Sequence, residues 1–389
     1  MALPKVKINL ANGLGRVADT DDVVCGVVLG GVAATGLAQN AGARVFSLAG
    51  AEALGITAAT HAHAYGQLST FFNVAGNAAI WIMLVPDSTT HAAMVAANGP
   101  LDKLLAAANG AITLAAYSIK RASGYTPGTA YFDYDIAAVG AAAQTLANRY
   151  ATEFAPVRIL LEGSWLNATK FNAGDALPTL KGVGDRVAVF CGAENLGDRH
   201  AAIGRLLGWY ASHAVQVNPG QVSLGAFLGT GYLTTGVDVR SYVLSQLSAL
   251  HDAGIMALRY FVGKGGVYVT DDPSFAATTS DFTSLARGLV IDKAIRLTYL
   301  TYVEQINSTI EITDDGLLSP TKVSELEDKI ERALSLRMTA EGNISSARAV
   351  IDPTQDVLAT DKIVIDVYII PLGYLKEIEV NLQFENPAQ

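Results

Sequence analysis

Charge is what this sequence has least of: 63 of its 389 residues are Asp, Glu, Lys or Arg, or 16%, against about 25% in an average soluble domain. Half of the residues are hydrophobic, so the chain either buries an unusual share of itself or covers its surface with copies of itself. Positive charge is the scarcer sign, with 27 basic residues against 36 acidic ones, and no long basic run occurs. A protein that coats nucleic acid needs a basic footprint to displace counterions, so nucleic acid is not an expected partner. Cysteine is nearly absent. Cys25 and Cys191 each sit inside an apolar run, which predicts two buried small hydrophobes rather than a disulfide or a metal pair. Long apolar runs are missing as well. The charge-free stretch from Ala53 to Pro86 contains His61, His63, Gln67, Asn73 and Asn77, and its continuous apolar part, Ala78 to Pro86, has nine residues where a spanning helix needs about 20. Membrane insertion is not expected. The start, Met-Ala-Leu-Pro-Lys-Val-Lys-Ile, places lysines where a secretion signal needs its apolar stretch, and the expected compartment is the cytoplasm.

What charge there is lies unevenly. Residues 1–287 hold 37 of the 63 charged residues and residues 288–389 hold 26, which predicts a boundary near 275–290. In the first part, apolar runs of β type at Val23–Gly30, Arg44–Leu48, Ala79–Val85, Ala111–Tyr117, Val157–Glu162, Arg186–Cys191 and Gly254–Tyr260 alternate with helical patterns. Those patterns fall at His61–Phe72, His91–Ala108, Asp133–Tyr150, Asp198–His213 and Asp238–Ala253. Strands apolar on both faces and separated by helices predict an α/β core built on a mostly parallel sheet.

The second part reads as an α+β module. Helical patterns run from Asp281 to Asn307 and from Pro320 to Glu341, the latter with Ser319 as cap, Pro320 at the first helical position and Gly342 as stop. Val323, Leu326, Ile330 and Leu334 make one apolar stripe, while Glu325 with Lys329 and Asp328 with Arg332 are spaced for ion pairs. Extended segments follow at Ile344–Ile351, Lys362–Pro371 and Lys376–Glu385. The expected domains are thus 1–20 as an amino-terminal arm and linker, 21–280 as the α/β core, 281–375 as the α+β domain and 376–389 as a carboxy-terminal strand arm.

Chemical motifs are weak. Gly13-Leu-Gly15-Arg-Val-Ala18 matches a dinucleotide fingerprint, yet Asp19, Asp21 and Asp22 follow it in place of the helix that would bind pyrophosphate. Gly263, Gly265 and Gly266 around Lys264 lack phosphate-loop spacing and predict a turn between two strands. His61 and His63 point to different faces of a helix. The acidic pairs Asp133/Asp135, Asp271/Asp272 and Asp314/Asp315 sit beside turn or helix-start signals, where capping explains them. Ser164 lacks the second glycine of a nucleophile elbow. No catalytic residue, metal site or cofactor is expected, and an enzyme or nucleotide-binding protein of unknown substrate is the weaker alternative.

The chain ends carry the sharper pattern. Ile378, Val380, Leu382 and Phe384 alternate with polar residues, as do Val6, Ile8 and Leu10 with Lys5, Lys7 and Asn9. Such amphipathic strands either edge the chain's own sheet or pair with the sheet of a neighbouring chain. Fully burying four such side chains contributes roughly 6 to 12 kcal/mol before ordering costs.

The second part resembles contractile tail sheath proteins. The resemblance lies in Tyr268-Val-Thr-Asp-Asp-Pro273, Thr279-Ser-Asp-Phe282, Arg287-Gly-Leu-Val-Ile-Asp-Lys293, the helix opened by Leu318-Ser-Pro320, Ile351-Asp-Pro-Thr-Gln-Asp356 and the closing strands. Upstream, Arg205-Leu-Leu-Gly-Trp-Tyr-Ala and Val215-Gln-Val-Asn-Pro-Gly220 look like sheath proteins of phages and phage-derived injection systems. The resemblance covers residues 200–389 well and the first half only in layout. It implies a structural, non-enzymatic subunit that polymerises helically around an inner tube, assembled in the host cytoplasm into a tail or injection particle. Baseplate and tail terminator proteins would be further partners. It also implies exchanged arms (Lys5, Val6, Lys7, Ile8 and Leu10; Ile378, Val380, Leu382 and Phe384) and a receiving strand through Ile363, Ile365, Val367 and Ile369. Lys322, Lys329, Arg332 and Arg337 would face the tube, although the same helix also reads as an ordinary amphipathic core helix.

Overall fold

Six of the seven apolar runs of the first part pair side by side in one six-stranded sheet. The structure is a computed structural model and describes residues 22–383 except 123, 129 and 315. Its strands are β1 (Cys25–Gly30), β2 (Gly42–Val45), β3 (Ile80–Val85), β4 (Leu114–Ser118), β5 (Arg158–Glu162) and β6 (Val187–Phe190). They lie in the order β2-β3-β1-β4-β5-β6, all parallel except β2, which runs antiparallel to β3 at one edge. Every residue of β1, β4, β5 and β6 is buried, as a sheet covered on both faces requires. From β1 the chain passes to β3 on one side and then crosses to β4 on the other. The carboxy-terminal ends of β1 and β4 therefore mark the topological switch point.

The helices of this unit are α1 (Leu48–Ala53), α2 (Ala62–Ala75), α3 (His91–Val95), α4 (Pro100–Ala107), α5 (Ile136–Thr152), α6 (Ala168–Ala173), α7 (Ile203–Ser212), α8 (Leu244–Asp252) and α9 (Leu285–Tyr302). Two small antiparallel pairs complete it: β7 (Gly192–Ala193) with β8 (Tyr232–Leu233), and β9 (Leu258–Arg259) with β10 (Tyr268–Val269).

Three local readings of the sequence are corrected. The run Arg44–Leu48 is strand only to Val45, because the Ser47 hydroxyl accepts from Gly50 N at 3.1 Å and starts α1. The pattern His91–Ala108 is two helices, because Asn98 adopts φ +59° and Pro100 can only open a new helix. Of Gly254–Tyr260, only Leu258–Arg259 is strand, and its partner β10 confirms the turn read at Gly263–Gly266.

Close helix packing explains the Arg205–Ala211 motif. A Cβ at Gly204 would sit 1.9 Å from the Gln67 carbonyl oxygen, and one at Gly208 would sit 2.7 Å from that of Phe71. The two glycines, one helical turn apart, let α7 lie directly on α2. Cys25 and Cys191 are fully buried, as expected, and burial pushes the Cys191 thiol up to about 12.

The chain divides at Ser308/Thr309 into two compact units. The second contains α10 (Pro320–Leu334), β11 (Ile344–Val350), α11 (Val357–Thr360) and β12 (Asp366–Pro371). β11 and β12 form an antiparallel pair running from Ile344↔Pro371 to Val350↔Asp366. Leu326, Ile330 and Leu334 of α10 are buried, together with Met338, Ile344, Ala349 and Ile351, so three of the four residues of the predicted apolar stripe belong to the core of this unit, and Val323 is half-buried. Ser319 holds the cap position, but its hydroxyl makes no capping bond, and Pro320 opens the helix. Past Leu334 the helix widens into a π turn, Ser335–Thr339, and Gly342 follows at φ +70°.

Candidate functional site

The second unit attaches its helix to its sheet with carboxylates. Glu327 Oε1 accepts from Ile351 N at 2.7 Å and Glu331 Oε1 from Ala349 N at 2.8 Å. Ion pairs at Glu325–Lys329 and Asp328–Arg332 do not form; Lys322 Nζ instead bonds Glu325 at 2.8 Å. Of the basic residues singled out on this helix, Arg332 is exposed while Lys322, Lys329 and Arg337 are half-buried.

Val367 and Ile369 lie in β12, and Ile363 and Ile365 directly precede it. All four are half-buried while Val364, Asp366, Tyr368 and Ile370 are exposed, so one continuous face runs from 363 to 369. The extended stretch before the strand is held by Gln355, which bonds both the N–H and the carbonyl of Val364. Among the described residues this sheet has two strands, and each keeps one edge without a strand partner.

Among the described residues, 372–383 form no strand, and Ile378, Val380 and Leu382 are 70%, 67% and 91% exposed. Lys5, Val6, Lys7, Ile8, Leu10, Phe384 and the Gly13–Ala18 motif lie outside the described residues.

The first unit contains two buried polar clusters that the sequence did not announce. At the end of β5, Glu162 is fully buried. Its carboxyl accepts from Ser118 Oγ at 2.6 Å, Ile119 N at 2.8 Å and Ala201 N at 3.2 Å. Burial outweighs these bonds and pushes Glu162 up to about 8. His63 Nε2 lies 3.0 Å from the same Ser118 hydroxyl, and its ring packs edge-on against His200 at 4.6 Å. Burial, with the neighbouring His200 and Lys120, holds His63 down at about 3.

The second cluster joins His91, Asp133 and Ser164. Ser164 Oγ donates to Asp133 Oδ1 at 2.7 Å and lies 3.2 Å from His91 Nε2, which is also 3.3 Å from the Asp133 carboxylate. Burial lowers His91. Burial would raise Asp133, but bonds from His91 and Ser164 and the Arg121 charge bring it below the ordinary carboxylate value. The residue types are those of a hydrolytic triad; the geometry is not. In a triad the acid holds Nδ1 so that Nε2 can take the serine proton. Here Nδ1 faces the Tyr117 hydroxyl at 3.0 Å, and serine and acid share Nε2. The serine hydroxyl donates to the carboxylate, so nothing prepares it as a nucleophile. The cluster ties α3, β4 and the loops at 133 and 164 together. Asp135 caps α5 as expected, accepting from Ala137 N and Ala138 N. Asp272 acts as a remote cap, accepting from Ser284 Oγ at 2.7 Å and Ala286 N at 2.6 Å at the start of α9.

Among the described residues, no three His, Cys, Asp or Glu side chains are placed to hold a metal ion, and no helix is long and apolar enough to cross a membrane.

Comparison of whole folds places this architecture among solved contractile particles. A chain of the anti-feeding prophage baseplate aligns with TM-score 0.64 and 16% identity, covering 99% of each chain. A chain of the contracted anti-feeding prophage helical sheath aligns with TM-score 0.63 and 15% identity over 99% of this chain and 100% of that one. A chain of the contracted sheath complex of an extracellular contractile injection system, PVC, gives 0.60 and 12% over 100% and 99%. A sequence search of curated proteins gave no significant match. The fold is that of contractile tail sheath proteins, as the sequence resemblance implied. By sequence the chain belongs to the DUF2586 family: residues 3–273 match its N-terminal domain and residues 281–389 its C-terminal domain.

Proposed function

We propose that this chain is the structural subunit of a contractile tail sheath, polymerising helically around an inner tube, with baseplate and terminator proteins at its ends. The observation that carries the reading is the end-to-end match in both directions with chains of contracted sheaths. The terminal arms link neighbours. Lys5–Leu10 and Ile378–Phe384 each add a strand to the β11–β12 sheet of another copy, whose receiving face includes Ile363, Ile365, Val367 and Ile369. The exposure of Ile378, Val380 and Leu382 in the single chain supports this, because alternating apolar side chains left in water are a burial yet to be made. Lys322, Lys329 and Arg332 of α10 and Arg337 of the π turn that follows it face the tube.

Contraction on this reading is a change between two packings of nearly rigid subunits, driven by the greater intersubunit contact of the contracted state, with arms that hinge and stay attached. The fold-level match to sheath chains rather than to enzymes supports a non-enzymatic role. Negative-stain electron microscopy of the purified chain tests the proposal: rings, tubes or filaments are expected. Deleting residues 376–389 leaves a folded chain that no longer assembles; unchanged polymerisation would refute strand exchange.

A further inference from the structure

A cavity of about 700 Å³ opens near the carboxy-terminal ends of β3 and β4, between α3, the segment after β4 and the start of α5. Ala92, Ala138, Val139 and Ala142 supply apolar wall, and Asp87, Asp133 and Asp135 bring three carboxylates to it. Two of these are occupied. Asp133 is bound by Ser164, His91 and Arg121, and Asp135 caps α5. Arg121, the cavity's fixed cation, is turned toward Asp133 and the carbonyls of Asp87 and Thr89. Asp87 differs: it is exposed at the rim, over Gly30 at the end of β1, and among the described residues its carboxylate has no hydrogen-bond or ion-pair partner; partial desolvation raises it above the ordinary value, with Arg121 and His61 opposing. An open cleft with a wall of small apolar side chains and an accessible carboxylate at its rim has room for a short apolar group that carries a cation.

The same unit displays such a group elsewhere. The hairpin of β9 and β10 ends in residues 260–266, where Val262 is 91% exposed and Lys264 is exposed. Gly263, Gly265 and Gly266 leave these two as the only side chains at the end of the tip. The stalk beneath is firmly built. Arg259 lies 4.2 Å over the Phe261 ring, Phe261 packs edge-on against Tyr268 at 5.3 Å, and the Tyr268 hydroxyl donates to the Gly265 carbonyl at 3.1 Å. Met256 bridges to Phe190 of β6, so the hairpin continues from the β6 edge, with β5 and β6 between it and β4 and with β1 and β4 lying further on before β3. Knob and socket occupy different parts of the surface. A contact between them is head-to-tail, and such contacts either close into rings or propagate as helices.

We propose that the Val262–Lys264 tip of one copy seats in this cavity of the next, Val262 against the alanine wall and the Lys264 ammonium on Asp87. The proposal rests on the reading of the chain as a polymer subunit, and adds a contact between first units to the arm exchange.

Cysteine cross-linking separates the two. Cys25 and Cys191 are buried, so thiols introduced by Val262→Cys in one preparation and Ala138→Cys in another are the reactive ones. Oxidising the mixture should give a disulfide-linked heterodimer that neither preparation gives alone. Particles without the cross-link overturn the contact and leave the sheath reading intact; the cross-link without particles supports the contact and overturns the polymer; neither overturns both. As a second measurement, Asp87→Lys and Lys264→Asp should each raise the critical concentration for assembly by roughly tenfold, and the double variant should reverse most of that loss. Single variants that assemble like the parent chain overturn the proposal.

Discussion

Arg158 and Asp292 form an ion pair with Nε 2.9 Å from Oδ2, each side chain only 1% exposed, joining the start of β5 to α9. Asp292 also accepts from Arg186 at 2.8 Å, and Arg158 donates to the Asp185 carbonyl at 2.5 Å. Gly288, one turn before Asp292, gives the guanidinium its space: a Cβ there would lie 2.0 Å from Arg158 Cζ. One turn later, Arg296 donates to the carbonyls of Gly110, Ile112 and Pro156. The motif Arg287–Lys293 is thus a polar stripe that fastens α9 to the amino-terminal ends of the sheet strands.

Removing one member of such a pair leaves a buried charge without its partner. Asp292→Asn should destabilise the first unit by about 3–5 kcal/mol, and Gly288→Ala by a comparable amount, because backbone or guanidinium must move. Urea denaturation followed by fluorescence measures both, and a change below about 1 kcal/mol would contradict this account.

Glu162 and His63 set opposing pH dependences. Glu162 rises from an ordinary 4.5 to about 8 on folding, so its contribution is fully present below pH 4.5 and is lost as pH rises through about 8. His63 falls from 6.5 to about 3, so its contribution is present above pH 6.5 and is lost as pH falls through about 3. Between 4.5 and 6.5 the two slopes cancel. Thermal stability should therefore show a plateau there and fall on both sides. Glu162→Gln should flatten the alkaline side, where the loss is on the order of a few kcal/mol; an unaltered alkaline slope in that variant would assign the dependence to other groups.

Ile378, Val380 and Leu382 are exposed in the single chain, so replacing all three with Asp should change the midpoint of unfolding very little, within about 0.5 kcal/mol per site. Assembly should fail. Parallel measurement of melting and sedimentation distinguishes a lost arm from a damaged fold.

Charge reversal at Arg332 and Arg337 tests the tube-facing assignment. Neither side chain is part of the buried Leu326–Ile330–Leu334 stripe. Arg332→Glu with Arg337→Glu should leave sheath polymers that form without the tube unchanged and abolish their capture of tube protein, measured by co-sedimentation.

Much of the fold was legible because hydrophobic periodicity is a local property. The runs that became β1, β3, β4, β5 and β6 are apolar on both faces, and α10 carries a regular apolar stripe. Helix α9 was legible only as a helix, because the face presenting Gly288, Asp292 and Arg296 to the sheet is polar and no apolar stripe points to its site. The cluster around Ser164 was illegible for a related reason. Its members stand 31 and 73 residues apart, and only the parallel crossovers bring them to one end of the sheet.

By itself the sequence determined the alternation of buried strands and helices, the burial of both cysteines, the apolar stripe of α10 and the amphipathic ends, since each depends on neighbours a few residues away. The tertiary structure decided which charges are buried and which carboxyl keeps its proton, because those follow from distances between residues that the chain places far apart. The scarcity of charge takes its physical meaning there. With so few charged groups, several are spent inside the first unit as ties between strands, helices and loops, at Arg158, Asp292, Glu162 and Asp133.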